Sequence, residues 1–217
     1  HPHFASYVWS HKIGGEPIVV ELKTLWENQN VALIFFRRWG CLLCRLWAKE
    51  LNEIAPVLQK HDIKLVGIGL EEIGSKEFVE GKFFDGDLYY VDKITTYQLL
   101  GFKRFSIVSI IGTLFWKQSR DAIFKGRGMG LTTDLIGDGM QNGGALLVLK
   151  GGKIKCHFIA IGPADRMANM DILEVILNNT TIGRAVGFLD LKKKLIIVEL
   201  RKNKTVVNLS VKSCRVL

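Results

Sequence analysis

The sequence predicts an α/β domain in which helices cover a mixed β-sheet. Apolar runs at 31–36 and 63–70 are uninterrupted and rich in β-branched residues, which is typical of strands buried on both faces. After Gly40 the apolar residues recur at helical spacing, which indicates an amphipathic helix. Strands and helices then alternate as far as a β-hairpin with a glycine turn at 145–159. This order predicts a layered domain with a mixed sheet.

The first elements are predicted from local periodicity. Alternating apolar residues at 17–22 predict a strand that enters a short helix at 24–27. The helix after Gly40 is expected to be distorted near its end by Pro56, whose ring is incompatible with a helix interior. Its apolar face consists of Leu43, Trp47, Leu51, Ile54 and Leu58.

Farther along the chain, a strand is predicted at 87–91 between helices at 75–84 and 93–100. Gly101 is expected to end the second of these helices, because glycine favours the conformation that follows a helix C-terminus. A last helix at 165–178 carries an apolar stripe and closes the domain.

The segment 105–125 is predicted to be a helical insertion. Its apolar part, Phe105–Trp116, has about half of the ~20 residues that a transmembrane helix requires. We therefore expect a buried or interfacial helix here, and no transmembrane segment.

The net charge of +9 is concentrated at the C-terminal end of the chain. Residues 183–217 contain nine Lys and Arg against two Asp and Glu, so the rest carries 21 basic and 19 acidic residues. A nearly neutral body disfavours nucleic acid as a partner. The sequence thus predicts a domain at 1–182 and a basic extension at 183–217, which forms a hairpin or is poorly ordered and makes at most weak contact with anionic surfaces.

The chain has four cysteines, at positions 41, 44, 156 and 214. One close pair and two scattered residues do not resemble the disulfide framework of a small secreted protein. This pattern favours a cytoplasmic protein whose thiol chemistry is confined to Cys41 and Cys44.

The position of Cys41 favours a reactive thiolate. It is predicted to lie where the strand 31–36 gives way to a helix, so its sulfur would face the unpaired N–H groups of the first helical turn. Arg37, Arg38 and Arg45 add positive charge nearby in the sequence. Each influence stabilises the thiolate, and Cys44 lies one turn away, close enough to form a disulfide with Cys41.

There are two simpler explanations of the cysteine pair: a buried structural pair, which remains open, and a zinc site, which is disfavoured. A buried structural pair is compatible with the apolar helix. A zinc site would need a second pair of ligands, and Cys156 and His157 are adjacent on a predicted strand, so they point to opposite faces. We expect no metal and no tightly bound cofactor.

A strand followed by Cys-x-x-Cys at a helix start resembles the thioredoxin fold. The ordered segments "LKTLW", "RRWGCLLCR", "LVGIG", "LYYVD", "LLGFKR" and "GDGMQNGGALLV" resemble, more closely, the peroxiredoxin-like 2 family of that superfamily. The resemblance extends from about residue 4 to residue 178, and the extension at 183–217 lies outside it.

The resemblance implies a thiol oxidoreductase that reduces the endoperoxide of prostaglandin H, or of its ethanolamide prostamide H, to the F-type diol. Its cysteine pair falls on Cys41 and Cys44, which would cycle between dithiol and disulfide. The electrons would come ultimately from NADPH through thioredoxin and thioredoxin reductase.

The sequence departs from better-known relatives in ways that bear on activity. Leu-Leu replaces the Gly-Pro between the cysteines of thioredoxin, and "NGGA" stands where thioredoxins have a cis-proline. The proline and threonine that precede the cysteine of typical peroxiredoxins are missing as well. An ordinary protein-disulfide reductase or hydrogen-peroxide peroxidase is therefore disfavoured.

For the implied reaction we predict that Cys41 attacks the peroxide and that Cys44 resolves the product. Arg38 and the helix N–H groups would stabilise the alkoxide, while Trp39, Trp47 and Phe105–Trp116 would accommodate acyl chains or form core. One alternative is a general antioxidant or redox-regulatory protein that acts on hydroperoxides or protein thiols. Another is a non-enzymatic module that binds through its basic extension.

Overall fold

A computed structural model of the chain describes residues 9–14, 18–91, 94–134 and 136–177. The basic extension at 183–217, with its predicted hairpin and surface contact, lies outside these residues, so the division at 182 stays a prediction. None of the helices in the described ranges has both the length and the apolar character needed to cross a bilayer.

Seven strands within the described residues form one mixed sheet. They are β1 (Trp9–Ile13), β2 (Val19–Glu21), β3 (Asn30–Phe35), β4 (Ile63–Gly69), β5 (Asp87–Tyr90), β6 (Gly144–Val148) and β7 (Ile154–Ile159). Their order across the sheet is β2-β1-β5-β4-β3-β6-β7. The strand β3 pairs in parallel with β4 and antiparallel with β6, so the strand that leads to the cysteines lies among the inner strands.

Helices lie on both faces of this sheet. They are α1 (Leu42–Asn52), α2 (Ala55–Lys60), α3 (Ser75–Glu80), α4 (Ile94–Leu99), α5 (Ile107–Leu114), α6 (Lys117–Gly128) and α7 (Asn169–Leu177), with a 3₁₀ helix at Leu22–Trp26. Parallel strands joined by helices, with an antiparallel hairpin at the far edge, form a thioredoxin-like α/β fold, which confirms the predicted fold class.

The residues of β3 alternate between two hydrophobic cores. Ala32 and Ile34 pack on the side of α1 and α7. Val31, Leu33 and Phe35 pack on the other side. The uninterrupted apolar run in the sequence therefore reports burial on both faces, as predicted.

Two predicted helices are each divided in the structure. The helix after Gly40 ends at Asn52, and Pro56 lies in the first turn of α2, where its missing N–H costs little. The insertion consists of α5 and α6, and the hydroxyl of Ser119 donates to the carbonyl of Thr113 at 2.6 Å, across the break between them. The strand β1 was not predicted, because its polar residues mask the strand pattern.

The expectation that the apolar insertion is buried is wrong. Ile107, Val108, Ile111 and Phe115 are all exposed. The alternative expectation, an interfacial helix, is the one compatible with this surface.

A cluster of ionic hydrogen bonds around Glu50 ties α1 to the segments that flank the site. Its carboxylate accepts hydrogen bonds from Arg166 and from Lys125 of α6. Its backbone carbonyl accepts a hydrogen bond from the Asn169 side chain at 2.7 Å, at the start of α7. Burial alone would raise the pKa of Glu50, but the charges and hydrogen bonds of Arg166 and Lys125 outweigh it and lower the pKa.

We predict that Glu50→Gln lowers the free energy of unfolding by about 2 kcal/mol near neutral pH, because it removes charge-assisted hydrogen bonds from a mostly buried group. Since the pKa of Glu50 is lowered on folding, this contribution is present above its unfolded pKa and is lost as pH falls through the folded pKa. Denaturant unfolding at several pH values measures the difference.

The matched control is Glu80→Gln, which removes one carboxylate of an exposed pair with Lys76. That change should cost well under about 1 kcal/mol, because solvent screens exposed pairs. Equal effects of the two substitutions would contradict the role assigned to Glu50.

Candidate active site

The junction between β3 and α1 carries the cysteine pair. Just beyond β3, Phe36 donates its N–H to the carbonyl of Ile68 at 2.8 Å, which holds the chain at the end of the sheet. Cys41 has an extended backbone and caps α1, which begins at Leu42. The predicted position of Cys41 at a strand–helix junction is confirmed.

The turn into the helix depends on Gly40. A Cβ at this position would lie 1.9 Å from the Oδ1 atom of Asp134. The N–H of Asp134 donates to the carbonyl of Gly40 at 3.0 Å, which brings the loop before β6 against the turn. Any side chain at position 40 would displace this loop, so glycine is required by close approach.

Both thiols are nearly enclosed: Cys41 is 8% exposed and Cys44 is 5% exposed. They are not joined by a disulfide, and a hydrogen bond links their side chains. The N–H groups of Leu43 and Cys44 also point at the sulfur of Cys41. These are free donors of the first helical turn, and they favour a negative charge.

The two thiols have opposite pKa shifts. The hydrogen bond from Cys44, followed by the charge of Arg37 and the helix N–H groups, lowers the pKa of Cys41 well below its usual range, although burial opposes this. The same hydrogen bond, together with burial and the charge of Cys41, raises the pKa of Cys44 well above its usual range. The pair therefore favours a negative charge on Cys41 and retention of the proton by Cys44.

Arg37 supplies the positive charge at the thiolate. Its Nη1 atom lies 4.0 Å from the sulfur of Cys41. Its other nitrogens donate to the carbonyls of Gln141 at 3.2 Å and Gly139 at 2.6 Å. Its guanidinium also lies over the ring of Phe105, at 5.7 Å from the centroid. Four contacts thus fix the direction of this charge.

Arg38 lies close to the pair but acts differently. Its backbone N–H donates to the sulfur of Cys44. Its guanidinium runs along the loop before β6, 3.8 Å from the position that a Cβ on Gly139 would take. Its Nε atom is buried and makes no hydrogen bond within the described residues. Stabilisation of an alkoxide by Arg38 stays a prediction that this geometry allows.

Arg45 holds the site together from the side. Its buried guanidinium donates to the carbonyl of Trp39, to both oxygens of Thr132 and to the carboxylates of Glu77 and Asp134. Among the described residues, Arg37 is the arginine whose charge lowers the pKa of Cys41. The contacts of Arg45 give it a positioning role.

Trp39 is part of the core. Its indole N–H donates to the carbonyl of Glu71 at 2.6 Å, and its ring packs against Phe36 and Phe78. It is almost completely buried, so its placement does not favour contact with a substrate.

A small recess opens beside Cys44. Its volume is about 20 Å³, which is enough for about one water molecule. Its lining is mostly apolar and includes Trp47, but no residue of Phe105–Trp116. The other lining residues are Phe35, Phe36, Arg37, Leu43, Cys44, Gly143, Ala160, Pro163, Asp165 and Arg166.

Sequence reasoning missed the backbone carbonyls of Gly139 and Gln141 that orient Arg37. The segment that contains them is rich in glycine, but a backbone carbonyl has no side-chain signature in the sequence. It also missed Asp134, whose role becomes visible when the chain folds back onto Gly40.

Comparison with known proteins places this site in a family. Residues 50–162 match the AhpC/TSA antioxidant enzyme family. The prostamide/prostaglandin F synthase of Homo sapiens is 38% identical over 170 residues, which cover 78% of this chain and 85% of that protein. The one from Xenopus tropicalis is 42% identical over 159 residues, covering 73% and 79%.

The chain belongs to the prostamide/prostaglandin F synthase family. The AhpC/TSA match begins after Cys44, so it does not itself include the cysteine pair. Membership of the prostamide/prostaglandin F synthase family, together with the thioredoxin-like fold, supports a thiol oxidoreductase.

Similar solved structures include peroxiredoxins. Reduced 2-Cys peroxiredoxin from Plasmodium vivax has a TM-score of 0.46 at 12% identity, covering 77% of this chain and 88% of that one. Peroxidoxin BcpB from Mycobacterium tuberculosis has a TM-score of 0.43 at 16% identity, covering 68% and 79%.

We predict that Cys44→Ala raises the pKa of Cys41, because it removes the hydrogen bond that lowers it most. Cys44→Ser should raise it less, since a hydroxyl still donates. The pH dependence of Cys41 alkylation, followed by mass spectrometry of the peptide, measures the midpoint. Identical midpoints in wild type and both variants would show that the hydrogen bond does not hold the charge.

We predict that Arg37→Gln lowers the alkylation rate of Cys41 severalfold at neutral pH and that the deficit disappears at alkaline pH. The reason is that the substitution raises the pKa of Cys41 and so reduces the thiolate fraction. Arg37→Lys, which keeps the charge, is the matched control and should lose less. A deficit that persists unchanged at alkaline pH would indicate that Arg37 acts on structure instead.

Proposed function

We propose that this protein reduces the endoperoxide bridge of prostaglandin H or prostamide H to the F-type diol. The observation that carries the proposal is the buried, asymmetric thiol pair, in which the pKa of Cys41 is lowered and the pKa of Cys44 is raised. Its similarity to prostamide/prostaglandin F synthases supports the substrate class.

In the first step the thiolate of Cys41 attacks one oxygen of the bridge. A sulfur–oxygen bond forms, the O–O bond breaks, and its electron pair goes to the second oxygen, which leaves as an alkoxide and takes a proton. Two groups would stabilise this charge: the N–H groups at the start of α1, and Arg38, whose Nε atom has no hydrogen-bond partner among the described residues.

The first step prepares the second. The pKa of Cys44 is raised by its hydrogen bond to Cys41 and by the Cys41 charge, and Arg37 opposes this. Once the Cys41 sulfur is bonded to oxygen, it no longer carries a negative charge. The hydrogen bond and the charge of Cys41 then raise the pKa of Cys44 less, so Cys44 loses its proton more readily. The Cys44 sulfur then attacks the Cys41 sulfur, a disulfide forms, and the sulfur–oxygen bond breaks. The first oxygen, which was bonded to Cys41, leaves as an alkoxide and takes a proton.

The two steps take two electrons from the dithiol and give them to the peroxide. An external dithiol must therefore reduce the disulfide again. We propose that thioredoxin does so, with NADPH as the ultimate donor through thioredoxin reductase, and that the protein acts in the cytoplasm. No tightly bound cofactor is required by this balance.

The recess also supports a second candidate function. A volume of about 20 Å³ fits hydrogen peroxide or the head of a small hydroperoxide better than a lipid. The same steps would then release water and an alcohol, or two waters, and make the protein a general antioxidant. A lipid endoperoxide requires the walls of the recess to move apart.

We predict that prostaglandin H turnover with NADPH, thioredoxin and thioredoxin reductase falls to background in Cys41→Ser and in Cys44→Ser. The two variants should differ without reductant: Cys44→Ser retains the attacking thiolate, so it should form one covalent adduct per protein, visible as an increase in intact mass. Cys41→Ser should form none. Wild-type turnover in both variants would exclude the mechanism.

A substrate panel separates the two candidate functions. Rates for prostaglandin H, hydrogen peroxide and a lipid hydroperoxide are compared under the same conditions. A preference for hydrogen peroxide would overturn the endoperoxide proposal and leave the thiol mechanism intact.

A further inference from the structure

The helix α5 presents an apolar face to solvent. Its exposed residues follow one another at spacings of one, three and four, so they lie on one side of the helix. Val108 is 80% exposed and Phe115 is 72% exposed, whereas Thr113 on the opposite side is buried. We call this surface the α5 patch. It comprises Ile107, Val108, Ile111, Leu114, Phe115 and Trp116.

Isolated exposed apolar residues are common, but a run of large ones on one helix face is not. The patch also continues onto the loop before α7. A Cβ on Gly162 would lie 3.2 Å from the ring of Trp116, and the neighbouring Ile161 is exposed as well. This surface is therefore larger than a single helix turn, and a patch of this kind indicates a binding surface.

The segment that contains the α5 patch has a net positive charge. Between residues 103 and 130 the chain carries six basic residues and one acidic residue, Asp121. Arg104 pairs with Asp138, Lys125 pairs with Glu50, and Lys117 lies 3.8 Å from Asp121. The net positive charge of the segment therefore comes from Lys103 and from Arg120 and Arg127 of α6, which are all exposed. An apolar helix face beside basic side chains is the combination that binds the interfacial layer of an anionic membrane.

The patch is connected to the recess by direct contacts. Gly162 packs on Trp116, and the side chain of Gln118 donates to the carbonyl of Ala164 at 3.3 Å. The same loop supplies Ala160 and Pro163 to the recess lining. On the other side, Phe105 precedes α5 and packs against the guanidinium of Arg37. A surface bound by α5 therefore lies next to the loop that borders the thiols.

We propose that the α5 patch docks the protein onto the surface of an anionic lipid bilayer. The apolar side chains enter the boundary between headgroups and acyl chains, and Arg120 and Arg127 face acidic headgroups. Docking of this kind goes beyond the reductase activity, because it depends on the surface and not on the thiols. For a lipid substrate it would place the recess beside the phase in which that substrate dissolves.

The experiment is sedimentation of the full chain with vesicles of phosphatidylcholine, with and without phosphatidylserine. Ile111→Glu places a charge in the α5 patch, at a residue that is 51% exposed. Its matched control is Val19→Glu on the edge strand β2, at a residue that is 49% exposed. Both variants change the net charge equally and retain residues 183–217, so a difference between them reports on the patch.

We expect Ile111→Glu to weaken binding to anionic vesicles about tenfold, the effect of losing one buried aliphatic side chain, and Val19→Glu to bind like wild type. Replacing Arg120 and Arg127 by Gln should weaken binding to anionic vesicles roughly fivefold per residue and leave neutral vesicles unaffected. Thermal unfolding of each variant confirms that the fold is retained.

Equal binding of wild type and Ile111→Glu would overturn the proposal, as would no binding of wild type to anionic vesicles. A wild-type dimer that Ile111→Glu converts to a monomer, without vesicle binding, would identify a second copy as the occupant instead. Turnover of a substrate in free solution distinguishes this proposal from the reductase. Cys41→Ser should lose turnover and still bind vesicles like wild type, and absence of turnover in a wild type that binds vesicles would refute the reductase alone.

Discussion

The site depends on a single hydrogen bond, from the thiol of Cys44 to the sulfur of Cys41. It makes two chemically equal groups different, because it lowers the pKa of Cys41 and raises the pKa of Cys44. Burial makes this interaction strong, since no water competes for it, but burial also penalises the charge. The thiolate persists because helix N–H groups and Arg37 are aimed at the same sulfur.

That arrangement depends in turn on the loop before β6. The Arg37 guanidinium is held by carbonyls of this loop, and Asp138 within the loop pairs with Arg104 and accepts the N–H of Met140. Glu71, after β4, accepts the N–H of Asp138. These contacts hold the loop whose carbonyls orient Arg37.

The sequence was sufficient for the parts of the structure that short-range patterns control. The two-faced burial of β3 and the position of Cys41 follow from an apolar run, a glycine and a change of period. The different contacts of Arg37 and Arg45 do not, because both are a few residues from a cysteine and the direction of each side chain is fixed by partners about ninety to one hundred residues away. The exposure of α5 could not be predicted from the sequence for a related reason. An apolar composition predicts contact with an apolar environment, but it does not say whether that environment is the protein's own core.

The small recess and the exposed α5 patch relate to two opposing requirements of the proposed reaction. A thiolate that attacks a peroxide benefits from a dry, fixed environment, in which N–H groups and a guanidinium act at full strength. A lipid needs a wide apolar entrance, which would admit water to the thiolate whenever the lipid is absent. The loop from Ala160 to Arg166 offers a way to separate these demands, because one side of it borders the recess and the other packs on Trp116. The close approach of Gly162 to Trp116 therefore makes this loop the structural element that the α5 patch and the recess share.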